Sequence, residues 1–150
     1  MSAFDSYSRE QLRSTLAQAW AKHLQHLPLS PLEALIADVV GLHPEYQSLV
    51  ADAQTAIAFE PSSAAAENPF LHLGLHLAIR EQLSIDRPPG IRDLHRQLQA
   101  RFGSAHGAEH VLMEALGETL WQAQRSGLAA DEKHYLALAR NRLNIRTSGD

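Results

Sequence analysis

The chain has 150 residues, 45% of them hydrophobic and 20% charged, with a formal net charge of −4 and no cysteine. That composition suits one folded domain with a single core, expected to span residues 1–150. It lacks the basic footprint of a protein that grips nucleic acid or an acidic membrane, and the missing cysteines exclude disulfides, thiolate metal sites and thiol catalysis.

The opening MSAFDSYSREQLR has no apolar run resembling a secretory signal. No stretch approaches the roughly 20 apolar residues of a membrane span, so a cytoplasmic location without membrane contact is expected. Ser8 with Gln11 forms a capping-box pattern ahead of Leu12, Leu16, Ala19, Trp20 and Leu24, which recur at helical spacing. LPLSP ends that helix. Ser30, Pro31 and Glu33 open the next, whose apolar face is Leu32, Leu35, Ile36, Val39 and Val40, and Gly41 stops it. LHPEYQSLVADA reads as a short helix opened by Pro44, and QTAIAFEPSSAAAE as a loop or linker of small residues.

Asn68 and Pro69 start NPFLHLGLHLAIREQL, which SIDRPPG breaks as a rigid turn. IRDLHRQLQARF follows and stops at Gly103. Ser104 begins the longest helix, which runs to Gly127, and DEKHYLALARNRL closes the chain as a terminal helix. Its basic end, with Arg140, Arg142 and Arg146, reads as solvated. No period-two pattern persists, so the expected fold class is all-α, a compact bundle of about six helices with Trp20 and Trp121 in its core.

Nine histidines are present, and four form two i, i+4 pairs: His72 with His76, and His106 with His110. Residues four apart on a helix lie about 40° apart, so each pair shares a face. Leu71, Leu75, Ile79 and Leu83 border the first pair; Leu112, Met113, Leu116 and Leu120 border the second. Short turns joining residues 69–83, 90–102 and 104–125 make the first and third helices parallel. If those two helices are neighbours, both pairs fall at one end of the bundle. His95 lies about 10 Å from that end at 1.5 Å per residue, and His43 is not placed by the sequence.

Three blocks, LHPEYQ, NPFLHLGLHLAIREQLSIDRPPGI and AEHVLMEALGETLWQAQRSG, resemble a bacterial family of unknown function, domain-of-unknown-function family 1841. The resemblance covers most of the chain. It implies a small helical cytoplasmic protein and no established activity.

Four imidazoles at one bundle end suit a divalent transition metal such as Zn²⁺, Fe²⁺ or Ni²⁺, so His72, His76, His106 and His110 are the candidate ligands. With an open position the site suits a metal-dependent hydrolase in which Glu109 is ligand, general base or orienting partner, and Glu114 is a further candidate. A buried carboxylate at Glu109 requires a cation, a metal or an imidazole beside it. Helix N-termini favour anions over cations, so a phosphate or carboxylate ligand is an alternative. The plainer alternative is a non-catalytic helical interaction module with structural histidines. A homodimer fits either. HGAEH also fits a short zinc-protease pattern, which the absence of a large protease scaffold discounts. Arg80 in REQ reads as a solvated rim residue.

Overall fold

The computed structural model describes residues 8–60 and 68–144. Among these there is no strand and there are eight helices rather than about six: α1 (Arg9–Leu24), α2 (Pro31–Gly41), a 3₁₀ helix (Pro44–Val50), α3 (Ala53–Ala58), α4 (Pro69–Ile85), α5 (Ile91–Phe102), α6 (Ala105–Ser126) and α7 (Glu132–Asn144). The all-α expectation holds. No helix among the described residues is long and apolar enough to cross a membrane. The chain divides into two compact units, Met1–Leu77 and Ala78–Asp150, and the division falls inside α4.

In the first unit the caps form as their sequences dictate. Ser8 and Ser30 each accept from the backbone of the third helical residue, and Gln11 and Glu33 reach back to the cap N–H. Leu16, Ala19 and Trp20 of α1, Ile36, Val39 and Val40 of α2, Val50, and Phe70, Leu73 and Leu77 of α4 make one buried cluster. Each fully buried leucine or isoleucine in it contributes about 2 kcal/mol by removal from water.

Helix α3 occupies part of the stretch expected to be irregular; residues 61–67 of that stretch lie outside the described residues. Six residues are too few to hold a helix by propensity. Two contacts supply what is missing. Asp52 caps the start, accepting from the Thr55 N–H at 2.8 Å. At the other end Arg13 of α1, itself buried, donates from Nη1 to the carbonyls of Ala56 at 3.0 Å, Ile57 at 3.3 Å and Phe59 at 2.7 Å. Its guanidinium also lies 4.3 Å from the Phe70 ring centroid.

In the second unit Ile79, Ile91, Leu94, Leu98, Leu112 and Leu136 are buried. Gly103, at φ 84°, ends α5 in the left-handed region, and Ser104 caps α6 by accepting from the Gly107 N–H at 2.9 Å. A Cβ added at Gly107 would lie 3.0 Å from Ser104 Oγ, a tight contact with the capping side chain. Burial along α6 stops at Thr119, and the helix continues about two turns further. Trp121 is therefore 54% exposed, flanked by Arg125, and is not a core anchor; Trp20 is buried as expected. Leu120 is exposed for the same reason. Leu71, expected beside the first histidine pair, is exposed too; Phe70, Leu73 and Leu77 form the buried stripe.

Candidate functional site

In the first unit α4 presents His72 and His76 one turn apart, their ring centroids separated by 4.9 Å. The residue that joins them is His43, which immediately precedes the 3₁₀ helix. Its ring centroid lies 4.7 Å from that of His72 and 4.8 Å from that of His76. His43 and His76 are both buried, and their Nε2 atoms stand 2.8 Å apart.

The local sequence explains how His43 is held. Pro44 restricts the backbone of the residue before it and starts the 3₁₀ helix, and the Tyr46 N–H returns to the His43 carbonyl at 2.9 Å. Glu45 and Tyr46 thus lie beside the ring. The His43 Nδ1 donates to Glu45 Oε1 at 2.7 Å, while Tyr46 stacks on its face at 5.2 Å and an interplanar angle of 17°. A carboxylate accepts only, so Nδ1 is the donor; in the neutral ring Nε2 then carries the lone pair and accepts from His76 Nε2–H. The hydrogen bond from His43 holds the Glu45 carboxyl below its ordinary range.

In the second unit His106 and His110 lie in the first two turns of α6, half-buried, with ring centroids 4.2 Å apart. Glu109 between them is buried and takes a hydrogen bond and ion pair from Arg80 Nε at 3.1 Å. The cationic partner that its burial demands is thus an arginine. Arg80 is not a solvated rim residue: the end of α4 turns it inward, and in the same REQ triplet Gln82 accepts from the buried Tyr135 hydroxyl at 2.6 Å. Burial pushes the Tyr135 hydroxyl well above the ordinary phenol range. Glu114 stands on the outer side of α6 and pairs with Arg142 of α7 at 3.2 Å, both side chains exposed. His95 Nε2 lies 3.4 Å from the Ala105 carbonyl. Arg146 lies outside the described residues.

The structure therefore brings together each expected pair within its own unit. Sequence reasoning missed Glu45, assigned Arg80 to solvent, and left His43 unplaced. The legible signal was a histidine followed by Pro-Glu, a spacing that puts a carboxylate one short turn from the ring.

Among the described residues these features define a helical protein whose buried His43 sits between the Glu45 carboxylate and the buried His76. The family model described as Domain of unknown function (DUF1841) matches residues 8–141, and the chain belongs to that family. No curated protein and no solved structure matches the chain.

Proposed function

We propose that this protein binds a divalent transition metal through its histidines, with His43 and His76 the candidate ligands in the first unit and His106 and His110 those in the second. The observation that carries the reading is the His43–His76 pair. Two buried imidazoles face one another through Nε2, and the other nitrogen of His43 is tied to a carboxylate. Ligating histidines are commonly oriented in this way by a carboxylate on the far nitrogen. Tetrahedral Zn²⁺ at about 2.05 Å from each nitrogen sets its ligands about 3.3 Å apart, so the pair has to open by about half an ångström and the His76 hydrogen has to pass from Nε2 to Nδ1. His72 packs edge-on against His43, and we assign it to the wall of the site in preference to the ligand set.

A site closed by four protein ligands is the structural type. Hydrolysis requires an open position for water beside three protein ligands. In that arrangement Glu109, next to His110 in sequence and held by Arg80, is the base we assign to it. A second reading, a non-catalytic interaction module with structural histidines, draws on the fact that both ring nitrogens of His43 have partners within the protein.

Elemental analysis of protein purified without a histidine tag distinguishes the two. The metal reading expects close to one ion per chain, lost in His43→Gln and His76→Gln and retained when His95 and His134 are both changed to Gln. Protein that stays metal-free after reconstitution with Zn²⁺, Fe²⁺ and Ni²⁺ leaves the interaction module.

A further inference from the structure

We infer that Glu45 is a positioning residue that selects which nitrogen of His43 is offered to a metal. The inference rests on the metal reading above and deepens it. An imidazole can place its lone pair on either nitrogen, and a ligand is useful only when the correct one is free of hydrogen. In His43 the choice is made by geometry. Nδ1 lies 2.7 Å from a carboxylate oxygen that can only accept, so the hydrogen stays on Nδ1. The lone pair is then on Nε2, the nitrogen facing His76.

The ring has little other freedom. Tyr46 covers one face and His72 meets it edge-on, so the remaining rotation about the side-chain bonds is restrained by packing. Glu45 comes from the same short segment, two residues beyond His43, with Pro44 between them. The orienting carboxylate and the ligand are therefore one local unit. The Glu45 side chain is 57% exposed, so its removal opens no cavity in the core.

The test uses the full chain and Zn²⁺ alone. Affinity is read by competition with a chromophoric chelator, and the His43 tautomer in metal-free protein by imidazole ¹⁵N resonances, assigned with His43→Gln. Loss of an orienting carboxylate typically weakens metal binding about 10–100-fold, and that is the expected effect of Glu45→Ala. Glu45→Gln keeps an acceptor oxygen and is expected to recover most of the affinity. Wild-type His43 is expected to show the Nδ1–H tautomer and Glu45→Ala a mixture, with the circular dichroism melt unchanged. Three results overturn the proposal: an Nε2–H tautomer in the wild type, an unchanged tautomer in Glu45→Ala, or equal Zn²⁺ affinity in wild type and Glu45→Ala. If the wild type takes up no Zn²⁺, the metal reading fails and the role of Glu45 in ligation fails with it. The tautomer measurement then still decides whether Glu45 orients His43.

Discussion

Glu109 and Arg80 show how much one side chain can depend on another. The carboxylate is buried and its partner is about three-quarters covered, so removing either takes away part of the compensation for the other's charge. Breaking such a pair is costly, while replacing both ends with apolar groups is often close to neutral. Glu109→Ala is expected to lower stability by about 2 kcal/mol in urea titration, after discounting for the exposed part of Arg80. Adding Arg80→Met is expected to return part of that loss; a double variant no better than the single one would show that the pair is not the reason for the burial. The two tryptophans provide a second contrast. Trp121→Phe is expected to change stability by less than about 0.5 kcal/mol and to leave blue-shifted emission from Trp20, whereas Trp20→Ala is expected to cost about 3 kcal/mol or more. Red-shifted emission from the Trp121→Phe protein would contradict the burial of Trp20. Both aromatic residues sit at helical core spacing in the sequence. Their difference arises because α6 outlasts its buried stretch, which is visible only once the neighbouring helices are in place.

Most helices here begin and end where local chemistry tells them to. The capping boxes at Ser8 and Ser30, the Asn68 cap on the Phe70 N–H and the Ser104 cap were all legible, because each acts within four residues. Helix α3 was not, because half of what holds it comes from Arg13, about forty residues earlier in the chain. Arg13→Met keeps much of the bulk and removes the donors. Its expected signature is local: faster amide exchange at residues 56–59, with exchange in α2 much less affected. Equal acceleration throughout the first unit would mean that Arg13 supports the core generally and not the end of α3 specifically. The candidate site divides along the same line. His72–His76 and His106–His110 follow from helical periodicity alone. His43 and the Glu109–Arg80 pair depend on contacts between elements, which periodicity does not report.

For the molecule as a whole, the carboxylates that accept hydrogen bonds at helix starts contribute to the response to acid. Hydrogen bonds from the Thr55 backbone and side chain hold Asp52 below its ordinary range, and the Arg92 backbone N–H does the same for Asp86. A carboxyl that is harder to protonate when folded favours folding above its unfolded pKa, near 4; that contribution is lost as pH falls further through the folded pKa. Asp52→Asn can still cap α3 but no longer titrates, so the decline of its urea midpoint below about pH 4 is expected to be shallower than in wild type. Identical slopes would remove Asp52 from the acid response. The sequence by itself determined the all-helical class, the capped helix starts and the two histidine pairs, because hydrogen bonds and periodicity within a few residues decide those. Tertiary structure alone decided that a six-residue helix forms against Arg13, that Trp121 faces solvent, that Glu109 meets Arg80, and that His43 joins His72 and His76. Each of these is a burial or pairing between groups from different elements, and its free energy exists only after the chain has brought them together.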